Sequence, residues 1–332
     1  MTQRAKLEPQ GYFRRIPLSP HQLTEPVTPA RDAIVLCHLG VAQISPADWT
    51  LTIDGLVTRS SRISFDDLLR YPKFGILSVH ECAGSPLAPT EPTRRVCNLR
   101  WGGARLADIL NECGPTADAT FLWSYGADYG EFGGIAIDGY LKDLPLSRLA
   151  DDVLIAYEMN GAPLSPENGF PVRLVVPGFY GTNSVKWLTR LTLADRRADS
   201  PFTTRWYNDP IADAVQTTGL SRPVWSIAPE SVIVAPAPDT TLDLDRKHLI
   251  WGWAWSDSGI AHVDISTDGG NAWLPAITEP RIGRGWQRFS LSWSPTQRGP
   301  IRLQSRAHNA DGTGQPTAGA RNAIHSVDVT AV

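Results

Sequence analysis

The sequence has no long apolar run, no excess of positive charge and no closely paired cysteines. No run approaches the ~18 apolar residues of a membrane-spanning helix, so we expect no membrane span. The formal net charge of −3 argues against nucleic acid as the main partner. None of the four cysteines forms a CxxC pair, so neither a zinc ribbon nor a thioredoxin-like site is indicated. The chain also has no CxxCH motif for an attached c-type haem.

An export signal is also not evident. Arg14-Arg15 is a twin arginine, but residues 16–21 do not form the apolar stretch that a twin-arginine signal needs. We therefore expect a cytoplasmic protein, or a periplasmic one if a leader has been removed.

The length of 332 residues is enough for two domains, each with its own core. Residues 1–30 are rich in proline and polar residues and predict an extended arm. Proline-rich, linker-like sequence lies within residues 222–240. We therefore predict an arm at 1–30, one domain at 31–222 and a second domain at 223–332.

The first domain mixes short helices with strands. Ser64 followed by two acidic residues predicts a short helix over 64–69, and a second helix over 106–110 ends near Gly114. Alternating or β-branched runs predict strands at residues 49–57, 152–157, 172–176 and 185–193. This mixture indicates an α+β fold rather than a regular βαβ series.

The C-terminal part is different in character. Strands are predicted at residues 250–255, 262–266, 287–293, 301–307 and 323–329, and Asp268-Gly269 supplies a hairpin turn. Several short strands without a helical pattern in about 100 residues indicate an Ig-like β-sandwich.

One thiol stands out in the first domain. Cys82 lies in a loop of small residues, 82–86, that follows a β-rich run. A thiolate is a soft ligand for a redox metal, and a single protein sulfur leaves most of the coordination sphere free. The alternative is a buried cysteine that serves only in packing.

Three groups of motifs resemble the sulfite oxidase family of molybdenum-cofactor oxidoreductases. AYEMNG (156–161), GFPVR (169–173), VPG (176–178) and VKWL (185–188) form the first group. CAG (82–84) with RWGGARL (100–106) is the second, and GWAWS (252–256) with DISTDGG (264–270) is the third. The resemblance implies a mixed α/β molybdopterin-binding domain followed by an Ig-like β-sandwich dimerisation domain.

The resemblance also implies a cofactor. In the family, one molybdenum is held by the two sulfurs of a pyranopterin and by one cysteine, which here is Cys82. Thiolate and dithiolene sulfurs donate charge to a high-valent metal and let it cycle by two electrons. No haem is predicted, because no cytochrome b5-like segment is present. A homodimer and an external electron acceptor, such as a cytochrome, are implied.

Seven further positions are implied as cofactor-binding: His38, Asp128, Asn168, Arg173, Ser184, Val185 and Lys186. Arginine suits phosphate through its planar fork, and lysine through its point charge. The alternatives are internal salt bridges for the two cations, a turn aspartate and a structural histidine.

Three positions are implied at the substrate. Tyr207 would donate a hydrogen bond near the transferred oxygen, Trp101 would line the pocket, and Arg288 would offer a cation from the C-terminal domain. The alternatives are an interface tyrosine and a core tryptophan.

The chain departs from the family pattern at four positions. Leu36 and Leu87 stand where substrate arginines are expected, Cys37 replaces an asparagine, and Asn168 replaces a histidine. Loss of positive charge weakens the binding of a dianion such as sulfite. The arginines that would compensate are Arg94, Arg95 and Arg105.

The leading hypothesis is molybdenum-dependent oxygen-atom transfer on a small oxyanion or a small sulfur or nitrogen compound, such as oxidation of sulfite to sulfate. Two alternatives stay open. One is a reductase of S-oxides or N-oxides on the same cofactor. The other is a catalytically silent dimeric binding protein.

Overall fold

The computed structural model describes residues 4–15, 17–84, 95–210, 221–317 and 321–332. Strands dominate this part of the chain, and its three α-helices have four to eight residues each. None of the helices within these ranges has the length and apolar character that crossing a bilayer would require.

Contacts within the chain divide it into two compact units. Unit 1 comprises Met1–Ile16, Ile34–Ile76 and Arg100–Trp225; unit 2 comprises Pro17–Ala33, Leu77–Leu99 and Ser226–Val332. The domain limits drawn from the sequence at residues 30 and 222 stay a prediction. The units differ from them in that residues 17–33 and 77–99 group with the C-terminal part.

Most elements up to residue 223 are short. The strands described up to residue 223 are β1 (Lys6–Gln10), β2 (Phe13–Arg15), β3 (Val35–Cys37), β4 (Gly40–Gln43), β5 (Thr50–Gly55), β6 (Ser61–Ser64), β7 (Lys73–Glu81), β8 (Val96–Arg105), β9 (Phe121–Gly126), β10 (Gly130–Phe132), β11 (Ile135–Ile137), β12 (Leu141–Pro145), β13 (Leu154–Met159), β14 (Ala162–Pro163), β15 (Arg173–Val175), β16 (Leu188–Ala194), β17 (Asn208–Pro210) and β18 (Ser221–Pro223). The α-helices are α1 (Phe65–Leu68), α2 (Leu106–Cys113) and α3 (Pro201–Thr204). The 3₁₀ turns are Pro20–Gln22, Ala30–Asp32, Leu146–Arg148, Pro166–Asn168 and Gly181–Asn183.

Two larger sheets organise these strands. The first has the order β12-β9-β16-β5-β6, in which only the β16–β5 pair is parallel. The second has the order β14-β13-β8-β7, with β15 also paired to β13. Strand β1 pairs with β4 and β2 pairs with β3, so two short segments of the predicted N-terminal arm are paired in sheets.

Local sequence explains where the two predicted helices begin and end. The Ser64 hydroxyl accepts a hydrogen bond from the Asp67 backbone N–H, and the Asp67 carboxylate accepts one from the Ser64 N–H, which caps α1. Helix α2 ends at Gly114, which has φ +64° and donates its N–H to the Leu110 carbonyl. Both short helices are confirmed.

The core of unit 1 lies between α2 and the two sheets. The apolar face of α2 buries Leu106, Ile109 and Leu110. The strand residues of the same core include Leu51, Ile53, Leu122, Ile155, Leu174, Leu191 and Leu193. This burial fixes β13, β15 and β16, from which the loops of the candidate site extend.

Unit 2 contains a β-sandwich. Its C-terminal strands are β19 (Glu230–Ala235), β20 (Thr241–Leu242), β21 (His248–Trp255), β22 (Ile260–Ser266), β23 (Leu274–Pro275), β24 (Ile277–Thr278), β25 (Gln287–Trp293), β26 (Gly299–Asn309) and β27 (Ser326–Ala331). They form one sheet of order β19-β21-β25-β24 and another of order β20-β27-β26-β22-β23. Side chains such as Ile250, Ile265 and Phe289 fill a shared core. The predicted α+β class with a C-terminal sandwich is confirmed.

Candidate functional site

Lys186 and the side chains around it in unit 1 form what we call the unit 1 cluster: His38, Cys37, Asp128, Lys142, Glu167, Arg173 and Tyr207. Among the described residues, no carboxylate is a hydrogen-bond partner of Lys186. Lys186 Nζ donates to the carbonyls of Leu36 (3.0 Å) and Glu167 (3.1 Å) and lies 2.8 Å from Cys37 Sγ. Burial raises the pKa of the Cys37 thiol, so the thiol is neutral, and burial lowers the pKa of Lys186. The hydrogen-bond partners of this cation are therefore neutral dipoles.

A second cation is held beside Lys186. Arg173 is 4% exposed and donates to the carbonyls of Asn168 (3.1 Å) and Ser184 (2.9 Å). A Cβ added to Gly169, which has φ +102°, would lie 3.2 Å from Arg173 Cβ and 3.1 Å from Lys186 Cβ. The missing side chain at Gly169 thus allows the two basic residues to pack closely.

The neighbouring cofactor candidates have structural partners as well. Ser184 Oγ accepts a hydrogen bond from the Val176 N–H, and the Val185 carbonyl accepts one from the Leu174 N–H. The Arg173 guanidinium lies over the ring of Trp101, 5.0 Å from its centroid, and Trp101 is only 2% exposed. These contacts fix the positions of the backbone and rings around the two cations.

A buried carboxyl group completes this side of the cluster. Asp128 is 4% exposed, and burial raises its pKa from 3.8 to about 7, although the charge of Lys186 opposes that shift. A Cβ added to Gly126 would lie 2.5 Å from Asp128 Oδ1, so any larger residue there would displace the carboxyl group. Near neutral pH Asp128 can therefore either donate or accept a hydrogen bond.

A tyrosine and a histidine meet in the same unit. Tyr207 Oη lies 2.6 Å from His38 Nε2. His38 is buried, with the ring of Phe132 at 4.7 Å, and burial together with the charge of Lys186 lowers its pKa to about 3. The imidazole is therefore neutral at physiological pH. With its proton on Nδ1, it accepts the hydrogen bond of the Tyr207 hydroxyl.

The backbone at Tyr207 is strained. Its φ is +60°, a conformation that bulky residues rarely adopt. Lys142 packs over the Tyr207 ring with Nζ 5.2 Å from the ring centroid and donates to the Phe202 carbonyl at 2.9 Å. Burial lowers the pKa of Lys142 to about 7. The packing of Lys142 on its ring and the hydrogen bond with His38 keep the phenol in this position.

Cys82 belongs to unit 2. Its N–H donates to the Arg95 carbonyl at 2.8 Å, and its Sγ accepts a hydrogen bond from the Gly84 N–H at 3.3 Å. Burial raises the pKa of the thiol, against the Gly84 hydrogen bond and the charge of Arg95. A bound metal would favour the thiolate, because ligation requires a deprotonated sulfur.

The rest of unit 2 supports the cysteine loop. The Glu81 side chain is fully buried and accepts a hydrogen bond from Trp255 Nε1 at 2.8 Å. The Ala83 carbonyl accepts a hydrogen bond from Arg321 Nε at 2.6 Å. The sandwich therefore fixes the backbone on both sides of Cys82.

The remaining substrate candidates differ in their surroundings. Arg288 lies on β25, 3.3 Å from a Glu279 carboxylate oxygen and over the ring of Trp251 at 4.8 Å. Arg105 packs over the Phe74 ring at 4.3 Å. Leu87 and Arg94 lie outside the described residues. The roles of Arg288, Arg94 and Arg105 toward the substrate stay predictions.

Sequence reasoning missed several residues of the unit 1 cluster. Cys37 was noted only as a substitution, and Lys142 and Glu167 were not considered. The Glu167 carboxylate pairs with Arg15 at 2.7 Å while its backbone carbonyl accepts a hydrogen bond from Lys186. No strand was predicted over residues 141–145, so the sequence carried no signal that Lys142 is buried.

Comparisons with known proteins agree with this architecture. A model of the oxidoreductase molybdopterin binding domain matches residues 38–202, and one of the Mo-co oxidoreductase dimerisation domain matches residues 221–328. The solved structure of the sulfane dehydrogenase SoxCD from Paracoccus pantotrophus superposes with a TM-score of 0.78 at 30% identity, over 92% of this chain and 82% of that one.

Two enzyme types appear among the curated relatives. The mitochondrial sulfite oxidase of Drosophila melanogaster is 32% identical over 321 residues, which is 87% of this chain and 55% of that protein. The NADH nitrate reductase of Ulva prolifera is 30% identical over 303 residues, which is 78% of this chain and 34% of that protein. The chain thus spans about half the length of the sulfite oxidase.

The fold and these matches define a molybdopterin-binding oxidoreductase domain followed by a dimerisation domain. The chain belongs to the sulfite oxidase family of molybdenum-cofactor oxidoreductases.

The residues present fit that cofactor. A pyranopterin carries a phosphate, and an anion is the partner that the hydrogen-bond set of Lys186 lacks. Arg173 and Lys186 would hold the phosphate or the pterin, and the soft Cys82 sulfur suits molybdenum.

Lys142 gives a pH-dependent prediction. An unfolded lysine keeps its proton to about pH 10.5, whereas native Lys142 loses it near pH 7. The unfolded state therefore binds more protons between these values, and Lys142 makes stability rise with pH there. Between these pH values, the free energy of unfolding of Lys142→Met should therefore rise by a few kcal/mol less than that of the wild type.

The measurement is the urea midpoint of the wild type and of Lys142→Met at several pH values above 7. Lys73→Met is the matched control, because Lys73 is exposed, pairs with Glu158 at 2.6 Å and has a raised pKa. An equal pH slope in the wild type and in Lys142→Met would contradict the prediction.

Proposed function

We propose that this chain binds one molybdenum–molybdopterin cofactor, with Cys82 as the metal ligand, and transfers an oxygen atom to a small sulfur compound. For sulfite, sulfite and water give sulfate, two protons and two electrons, and the electrons pass to an external acceptor. The observation that carries the proposal is the set of neutral hydrogen-bond partners around Lys186; the Asp128 carboxyl interacts with its charge, but is not among these hydrogen-bond partners.

The bound cofactor would supply two-electron redox chemistry and the transferable oxygen. Lys186 and Arg173 would bind its anionic end, and burial strengthens each of these interactions. Asp128 would hydrogen-bond the pterin, as donor or acceptor according to its proton. Cys82 would contribute its sulfur from a segment in which its own N–H donates to the Arg95 carbonyl and the Ala83 carbonyl accepts a hydrogen bond from Arg321.

Tyr207 would position the substrate. When the His38 proton is on Nδ1, the Tyr207 hydroxyl donates to His38 Nε2, and its oxygen would also accept a hydrogen bond from a substrate or a water. Because the pKa of His38 is about 3, the imidazole orients the phenol and does not store a proton at neutral pH. Protons released during oxidation would then leave through water.

Substrate charge is the point on which this chain departs from its family. Leu36 contributes only a backbone carbonyl to the cluster, where an arginine was expected to add positive charge. Among the described residues, Arg95, whose charge acts on the Cys82 thiol, is the cation that we expect to supply part of the missing positive charge. A monoanionic or weakly charged sulfur compound therefore fits the site better than a tightly bound dianion.

A second candidate is reduction of an N-oxide or S-oxide on the same cofactor. The similarity to a nitrate reductase favours it, as does the missing cation at Leu36. The same residues would act with the electron flow reversed. The match to the dimerisation domain supports a homodimer in either case.

The direct test uses purified protein shown to contain molybdenum. We expect it to reduce an artificial acceptor such as ferricyanide when sulfite or another reduced sulfur compound is added. Turnover of N-oxides or S-oxides by a reduced electron donor, with no sulfite oxidation, would replace the proposal by its alternative. Inactivity in both directions would contradict both.

Lys186 gives a prediction that does not depend on turnover. Lys186→Gln removes a charged hydrogen bond worth about 1.5–3 kcal/mol, so cofactor affinity should fall about 10-fold to 100-fold. The readout is molybdenum and released pterin per chain in purified protein. The matched control is Lys247→Gln, which removes an exposed lysine of unit 2. Equal cofactor content in both variants would mean that Lys186 does not bind the cofactor.

A further inference from the structure

Three metal-ligating side chains lie together on the outer face of the sandwich. Strands β22 and β26 are antiparallel neighbours, in which His262 is opposite His308 and Asp264 is opposite Arg306. Val263, Ile265 and Ala307 alternate with them and are buried in the core. The two histidines and the aspartate therefore share the face that points away from the core.

The spacing of these groups is close to that of a coordination sphere. One ligand atom from each of His262, Asp264 and His308 lies within 4.8 Å of the other two. Asp264 Oδ2 and His308 Nε2 are 3.5 Å apart, and ligands of a tetrahedral Zn²⁺ are about 3.4 Å apart. His262 is exposed, so its side chain can rotate to close the remaining gap.

Neighbouring groups orient the carboxylate. Arg306 donates to Asp264 Oδ2 at 3.0 Å and is itself held over the Trp273 ring at 4.2 Å. Hydrogen bonds of this kind fix the orientation of ligating carboxylates in metal sites. The rings of His262 and His308 lie parallel, with their centroids 4.5 Å apart and their planes 7° apart.

We propose that His262, Asp264 and His308 form a binding site for a divalent transition metal, of which Zn²⁺ is the probe. Two imidazoles and one carboxylate suit Zn²⁺ and its neighbours in the first transition row, whereas Ca²⁺ and Mg²⁺ prefer oxygen ligands throughout. The fourth position would be taken by water. The ion would join β22 to β26 and stabilise the sandwich, which is separate from any role of Cys82.

The test is Zn²⁺ titration of full-length, molybdenum-loaded protein that has been freed of affinity tags and treated with a chelator. We expect one Zn²⁺ per chain and a higher Tm with Zn²⁺ than without it. His262→Gln with His308→Gln should lose this equivalent, with affinity reduced by more than about 10-fold. His248→Gln, which alters a histidine of the same unit bonded to the Asp243 carbonyl, should bind as the wild type does.

Two further measurements keep the outcome unambiguous. If the double variant does not fold, His262→Gln alone replaces it, because that side chain is exposed. Co²⁺ in place of Zn²⁺ should give visible d–d bands without the intense charge-transfer band of a thiolate ligand. Equal binding by the wild type and the variants, no binding in excess Zn²⁺, or a thiolate band would overturn the proposal.

Discussion

The unit 1 cluster depends on positive charge held inside the protein. Lys186 reaches its position through hydrogen bonds to two backbone carbonyls and a contact with the Cys37 sulfur. Removing an ammonium group from water is costly, and neutral dipoles recover only part of that cost. An anion bound beside Lys186 and Arg173 would recover the rest. The proposed binding of an anionic cofactor would therefore stabilise the cluster.

The charge of Lys186 also affects its neighbours. It contributes to the low pKa of His38 and opposes the raised pKa of Asp128. Because His38 is neutral, it accepts the hydrogen bond of the Tyr207 hydroxyl when its proton is on Nδ1. The charge of Lys186 thus acts both on Asp128, a proposed cofactor contact, and on His38, the hydrogen-bond partner of Tyr207. The strained backbone at Tyr207 is consistent with such a functional constraint.

The sequence predicted those features that are set by interactions between residues close together in the chain. Ser64 and Gly114 marked helix ends because their capping bonds join residues three or four positions apart. The sandwich was predictable from strand alternation. The contacts of Lys186 with Cys37 and of Tyr207 with His38 join residues 149 and 169 positions apart, and no local pattern encodes them. The family motifs placed His38 and Lys186 near a cofactor, but their hydrogen-bond partners required the fold.

The central claim is that Cys82 binds molybdenum beside a pyranopterin in this chain. X-ray absorption at the molybdenum edge of purified protein tests it directly, because it counts sulfur ligands. If Cys82 is the ligand, we expect three sulfur ligands, two from the pterin and one from Cys82, and a decrease to two in Cys82→Ser with the pterin retained. Two sulfur ligands in both proteins, or no molybdenum in protein produced with ample cofactor, would contradict it.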